Sequence, residues 1–293
     1  MRVLVLGGTG SIGGPVVRAI LKRGHHVLAL ARSETSAQKV AAFGALPVPG
    51  DIRRPEEWLG GLRAIDAVIH AACEFEGAME AIESHLLDHL LPYLASSGRQ
   101  PKFIYTGGCW LFGATGDHVA TEDTPFHALP AFAWALPHMR RIVATVGIEP
   151  IIIHPAMVYA GRGGVFGSFA RDAIARRAIR VVGGENVRWP LVHSEDLANL
   201  YALVLERGVA RESYIGSAID GFPVGRIATA FARRFGGLER GLAVISAEEI
   251  TAESGDWAQG FALDQQLSGE KARSTLGWEP KHLDPESEIA SIA

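Results

Sequence analysis

Residues 2–13 read Arg2-Val3-Leu4-Val5-Leu6-Gly7-Gly8-Thr9-Gly10-Ser11-Ile12-Gly13. The first five are the short, β-branched and apolar run of a strand buried on both faces. After the glycines, apolar positions at Val16, Val17, Ile20 and Leu21 recur with helical spacing until Gly24. Strand, glycine turn and helix in that order are the context of a dinucleotide-binding turn. Gly7, Gly10 and Gly13 let backbone approach a pyrophosphate, Thr9, Ser11 and Ile12 share the turn, and the helix N-terminus favours the negative charge. Pro15 falls in the first helical turn, where its missing N–H costs nothing.

A second strand at His26–Leu30 ends in Ala31-Arg32. An Asp or Glu about 20 residues beyond the glycines binds the ribose 2′-hydroxyl of NAD. Without that carboxylate a 2′-phosphate meets no repulsion, and the Arg32 guanidinium offers it paired donors. NADP (NADPH) is therefore the expected cofactor, ahead of NAD. Further short strands are expected at Leu46–Val48, closed by Gly50-Asp51-Ile52, and at Asp66–Ala72, Lys102–Thr106 and Ile151–His154, with a helix over Met79–Tyr93. Strands separated by helical patterns predict an α/β fold with a Rossmann-type doubly wound parallel sheet. The NAD(P)-binding domain is expected over residues 1–160. A smaller C-terminal substrate lobe is expected over 161–293, with about 189–220 returning to the sheet.

The chain has 293 residues, 48% hydrophobic and 20% charged, which suits a large core and argues against disorder. Lys plus Arg number 28 against 32 Asp plus Glu, and a net charge of −4 offers nucleic acid no footprint. No apolar run approaches the ~18 residues of a membrane helix. Cys73 and Cys109 cannot make a disulfide framework, and the sequence opens directly in the first strand without a signal-peptide pattern, so a cytoplasmic location is expected. The 34 glycines, about 12% against a usual ~7%, concentrate in part where backbone must approach a ligand.

Beyond the glycine turn the chain carries Gly50-Asp51-Ile52, His70-Ala71-Ala72, His154-Pro155-Ala156-Met157-Val158-Tyr159, Trp189-Pro190-Leu191-Val192-His193-Ser194-Glu195-Asp196-Leu197-Ala198 and Leu276-Gly277-Trp278-Glu279-Pro280. Together these resemble the short-chain dehydrogenase/reductase superfamily, in its extended or atypical NAD(P)-dependent epimerase/dehydratase-like branch, over essentially the whole chain. The resemblance implies that Asp51 and Ile52 flank the adenine, that Ala71 and Ala72 line the cofactor path, and that Pro155, Met157 and Val158 lie beside the nicotinamide. It also implies a catalytic Ser or Thr after the fifth strand and a Tyr-x-x-x-Lys on the next helix. This chain departs from both. Counting back from Gly113 puts Gly108 at the Ser position, and residues 125–150 hold no Tyr-x-x-x-Lys. The positional match is Trp134-x-x-x-His138, and Trp is no acid.

His138, Thr106 and Cys109 are the candidate replacements. With Pro137 as the first helical position, His138 lies in a first turn whose dipole favours neutral imidazole, able to bond the nicotinamide ribose or relay a proton. Thr106 and Cys109 offer a hydroxyl and a thiol near the expected nicotinamide. Tyr159, His193 and Asp196 are read as structural. Phe75, Trp110, Phe112, Phe132, Trp134 and Phe166 fall on loops at the ligand-binding edge of such a sheet and suggest an aromatic mouth. Arg171, Arg176, Arg177 and Arg180 form a basic helical face. His85-x-x-x-His89 puts two imidazoles on one helical face without a third ligand, so no metal site is expected.

The expected activity is that of an NADP(H)-dependent oxidoreductase with a non-standard active site, reducing a carbonyl or activated double bond of a small, partly apolar substrate. Two other readings stand beside it: a catalytically silent NADP(H)-binding redox sensor, and a nucleotide-sugar epimerase or dehydratase, which the missing Tyr and Lys disfavour. The expected partner is a small molecule, with no nucleic acid and no membrane, and a homodimer is the candidate assembly.

Overall fold

In the computed structural model, residues 1–73 and 78–292 are described. The elements run β1 (Arg2–Leu6), α1 (Gly13–Lys22), β2 (His26–Ala31), α2 (Glu34–Ala42), β3 (Leu46–Pro49), α3 (Pro55–Trp58), β4 (Ala67–His70), α4 (Met79–Ala95), β5 (Lys102–Thr106), α5 (Ala135–Ala144) and β6 (Glu149–Pro155). There follow β7 (Met157–Ala160), β8 (Gly163–Gly164), α6 (Gly167–Ile174), β9 (Ile179–Val182), β10 (Arg188–His193), α7 (Ser194–Arg207), β11 (Ser213–Gly216), β12 (Ile219–Pro223), α8 (Val224–Arg234), β13 (Leu242–Ile245), α9 (Ala247–Ser254), α10 (Glu270–Leu276) and α11 (Pro285–Ser291).

The main sheet has the order β11-β6-β5-β4-β1-β2-β3, and every pairing from β6 to β3 is parallel. Apart from the exposed edge strand β3, its strands are mostly apolar and buried on both faces, as a sheet covered by helices on two sides requires. The chain reverses direction of travel across the sheet between β1 and β4. In doubly wound sheets, ligands bind outside the carboxyl ends of the strands at such a point. The fold is thus the Rossmann-type α/β architecture expected from the sequence.

Two compact units make up the chain. The first comprises residues 1–107, 134–154 and 197–214, and the second 108–133, 155–196 and 215–293. Residues 108–133 and 155–160, grouped with the cofactor domain in the sequence, belong to the second unit, and the returning segment is 197–214 rather than 189–220. The second unit contains the sheet β12-β10-β7-β8, the pair β13-β9, and a core built around Phe112, Phe166, Phe169, Trp189 and Phe231. Among the described residues, no helix is long and apolar enough to cross a membrane.

Candidate active site

The glycine turn has the geometry its spacing promises. Gly7 has a φ of +83°, and a Cβ there would lie 2.5 Å from the carbonyl oxygen of Ala71 and 2.7 Å from the amide nitrogen of Ala72. The Gly10 N–H donates to the Gly7 carbonyl at 3.0 Å, and a Cβ on Gly13 would run into that same oxygen. Gly10 and Ser11 are exposed, Thr9 and Ile12 half-buried. Ile12 precedes α1 without giving it a side-chain cap, so the partial positive charge of the helix end is left for an anion. This cradle, which side chains would fill, fits a dinucleotide pyrophosphate.

The first unit also carries the other residues expected at the cofactor. Ala31 ends β2 and Arg32 follows it, exposed. Lys39 of α2, which the sequence reading missed, donates its Nζ to the Thr9 carbonyl at 2.8 Å. Its signal was available: it lies seven residues beyond Arg32, on the helix that Arg32 leads into. Asp51 accepts the Arg53 N–H at 2.9 Å, and its carbonyl accepts the Trp58 indole N–H at 2.8 Å. Ile52 is half-buried in this turn. The Ala71 N–H donates to the Leu6 carbonyl, which aligns Ala71 and Ala72 beside Gly7.

At the end of β5 the Thr106 hydroxyl is 2.6 Å from that of Tyr201 on α7, whose own hydroxyl is held above its ordinary range by complete burial. Nothing in the sequence joins these residues, which lie 95 positions apart. A Cβ on Gly107 would meet His154 Nδ1 at 2.5 Å, whereas around Gly108 a Cβ meets nothing within 4 Å. The helix α5 begins at Ala135, two residues before Pro137. Proline is tolerated anywhere in the first turn, because those N–H groups have no intrahelical partner, and so it does not mark the start. His138 is the fourth helical residue. It is buried, its ring centroid is 5.9 Å from that of Trp134, and its Nε2 has no hydrogen-bond partner.

Beneath the ends of β4 and β5 lies a buried polar group with no counterpart among the expected site residues. His70 Nε2 is 3.0 and 3.1 Å from the two carboxylate oxygens of Glu83 on α4, and the His70 ring packs edge-on against Tyr105. Burial and the neighbouring Glu83 push the Tyr105 hydroxyl well above its ordinary range.

In the second unit, Cys109–Phe112 forms a short 3-10 turn whose Cys109 and Gly113 carbonyls accept the buried Gln265 side-chain amide. The Cys109 thiol lies inside the apolar core, and burial pushes its pKa up to about 12. A thiol so placed neither ionises near neutral pH nor faces a ligand, and this corrects its candidacy as a catalytic group. Phe112 and Phe166 belong to the same core rather than to a mouth. Phe75 lies outside the described residues. Trp110, in contrast, clusters with Phe132, Trp257 and Phe261 at centroid distances of 5.5, 6.2 and 5.5 Å, and its buried indole N–H has no partner. Trp134, of the first unit, packs on His138 instead.

Pro155, Met157 and Val158 are buried where β6 passes into β7, with the Ala156 N–H donating to the Gly216 carbonyl. Tyr159 donates to the His282 carbonyl at 3.1 Å, and Asp196 accepts both the His282 N–H and its ring nitrogen. The four arginines expected on one helical face do not share a helix: Arg171 lies on α6 and Arg180 on β9, where Asp172 and Glu253 take it up, while Arg171, Arg176 and Arg177 are exposed.

A family model described as the NAD dependent epimerase/dehydratase family matches residues 3–216. Among known proteins, an uncharacterized protein of Schizosaccharomyces pombe is 28% identical over 301 residues, covering 100% of this chain and 99% of its own. The 4-hydroxy-2-methyl-3-oxo-4-farnesyl-3,4-dihydroquinoline-1-oxide ketoreductase of Stigmatella aurantiaca is 27% identical over 235 residues, covering 76% of this chain and 70% of its own. Two solved structures share the fold. The dTDP-glucose 4,6-dehydratase DesIV of Streptomyces venezuelae, with NAD bound, matches with a TM-score of 0.84 at 20% identity, over 100% of this chain and 95% of that one. Human epimerase family protein SDR39U1, with NADPH, matches with a TM-score of 0.76 at 21% identity, over 100% and 99%. The match across residues 3–216, on a glycine cradle shaped for a dinucleotide, places the chain in the NAD dependent epimerase/dehydratase family, as an NAD(P)-dependent enzyme.

Proposed function

We propose that the chain is an NADPH-dependent reductase of a carbonyl or activated double bond in a small, partly apolar molecule, working without the family's Tyr and Lys. The observation that carries this reading is His138 Nε2, a buried ring nitrogen with no hydrogen-bond partner, at the position matching that Lys. A buried polar atom left unpaired costs about 1–3 kcal/mol, and a ligand hydroxyl at this nitrogen removes that cost. When bound, the cofactor supplies a hydride. Gly7, Thr9, Gly10, Ser11, Ile12 and Gly13 would hold its pyrophosphate, Arg32 and Lys39 its 2′-phosphate, and Asp51 and Ile52 its adenine.

His138 would bond the ribose or pass a proton, and Thr106 would orient the neighbouring ring through a hydroxyl already fixed by Tyr201. The Stigmatella aurantiaca relative is named as a ketoreductase of a farnesylated 3-oxo dihydroquinoline oxide, a ring-bearing ketone with an apolar chain, and this supports the substrate class.

A second reading, the catalytically silent NADP(H) sensor, is favoured by Gly108, where the family's hydroxyl is missing. A nucleotide-sugar epimerase or dehydratase would need the absent Tyr and Lys. Fluorescence titration with NADPH and NADH is expected to show tighter NADPH binding, and Arg32→Ala to cut that preference by about tenfold or more, the worth of a charge-assisted hydrogen bond. Equal affinity for both cofactors would overturn the cofactor assignment. In a screen of aromatic and alkyl ketones, NADPH consumption is expected, with turnover falling by about a hundredfold in His138→Ala. No consumption with any ketone would favour the sensor.

A further inference from the structure

The outer face of the first unit brings together two imidazoles and a carboxylate that play no part in the proposed reduction. His85 and His89 stand one turn apart on α4, with ring centroids 4.6 Å apart. Sequence alone gives them no third ligand. The fold does: Glu56 of α3 places Oε2 3.3 Å from His85 Nε2, and one ligand atom from each of the three side chains lies within 4.8 Å of the other two. We propose that Glu56, His85 and His89 bind one divalent transition-metal ion, with Zn2+ as the best fit.

Three observations support the assignment. Zn–N and Zn–O bonds of about 2.0–2.2 Å in a tetrahedron put ligand atoms roughly 3.4 Å apart. The Glu56–His85 pair is already at that separation, and both side chains are about half exposed, so small torsions close the third edge. Second, His89 Nδ1 is 2.9 Å from the His85 carbonyl, which holds the N–H on that nitrogen and leaves the lone pair of Nε2 for an ion. A backbone bond of this kind orients most metal-binding histidines. Third, two imidazoles with one carboxylate are the donor set of three-ligand zinc sites, and exposure leaves the fourth position to solvent.

Among the described residues, the other such grouping, His193, Glu195 and His282 in the second unit, is already committed internally. His193 Nδ1 accepts the Glu195 N–H, its Nε2 is paired with Glu288, and His282 Nδ1 is bonded to Asp196. An ion there would have to displace these partners. At Glu56 an ion would join α3 to α4, and α3 also carries Trp58, whose indole N–H holds the Asp51 carbonyl.

The test is a titration of the untagged, chelator-treated full chain with Zn2+ by calorimetry and with Co2+ by visible absorption. One ion per chain is expected, with a rise in melting temperature. His89→Ala and Glu56→Gln should each weaken binding by about tenfold or more, while His282→Ala leaves it unchanged. Glu56 is exposed while His89 and His282 are half-buried, and circular dichroism of each variant checks that the fold is intact. Absence of stoichiometric binding, wild-type affinity in His89→Ala, or loss of binding in His282→Ala would each overturn the site.

Discussion

Gly107 and Gly108 are adjacent in sequence and opposite in what they permit. Gly107 gives its space to the His154 ring, which a Cβ would meet at 2.5 Å. Gly108 has extended backbone, with φ −178° and ψ 158°, and open space where a Cβ would point. Gly107→Ala should therefore destabilise by about 1–3 kcal/mol, the usual cost of overpacking, while Gly108→Ser should stay within roughly 0.5 kcal/mol of the parent. Thermal unfolding of the two variants checks the contrast, and equal losses would sink it. Sequence alone located the missing hydroxyl at Gly108 by counting from Gly113. It could not separate the two glycines, because His154 lies 47 positions from Gly107 and only the pairing of β5 with β6 brings it there.

The helix α4 shows what its apolar pattern conceals. Its buried stripe runs Glu83, Leu86, Leu87, Leu90, Leu91 and Leu94, so an acid occupies a core position. That break in the stripe was visible in the sequence. Its partner was not, since His70 sits on β4 and reads there as part of a strand ending. Because Glu83 is buried against His70, Glu83→Ala strands a polar imidazole in the interior and should cost about 1–3 kcal/mol. Replacing both residues, as in His70→Leu with Glu83→Leu, should recover most of that loss, because well-packed apolar groups often match a buried pair. Chemical denaturation of the single and double variants measures the difference. If the double variant is no more stable than Glu83→Ala, the penalty does not arise from a stranded polar group. Strands and phosphate turn were legible because their signals are local. The roles of Tyr201 and Glu83 were not, because each comes from a residue on another element, Thr106 on β5 and His70 on β4.

For the molecule as a whole, order in the main sheet followed from alternating strands and helices, whereas the second unit is assembled from three separated segments that no periodicity links. Its last segment is anchored by side chains. Glu288 of α11 accepts the Gly161 N–H at 2.9 Å and lies 3.4 Å from His193 Nε2, with Glu195, Asp196, His282 and Tyr159 around the ring. Burial of the His193 ring opposes its protonation, but the Glu288 hydrogen bond and charge outweigh that burial, and the pKa is raised. Burial likewise works against the Glu288 carboxylate, yet His193 and the Gly161 N–H hold it below its ordinary range. A raised imidazole stabilises the fold below its unfolded pKa of about 6.5 and loses that effect as pH rises through the folded value. A lowered carboxylate stabilises above its unfolded pKa of about 4.3 and loses that effect on acidification. Both contributions coincide between about pH 4.5 and pH 6.5. Glu288→Gln should therefore lower the melting temperature most near pH 6 and less near pH 8, where the imidazole is neutral and no charge pair remains to lose. A scan of melting temperature against pH for both proteins decides it: a penalty independent of pH would mean that the charge on His193 contributes nothing to the hold of Glu288.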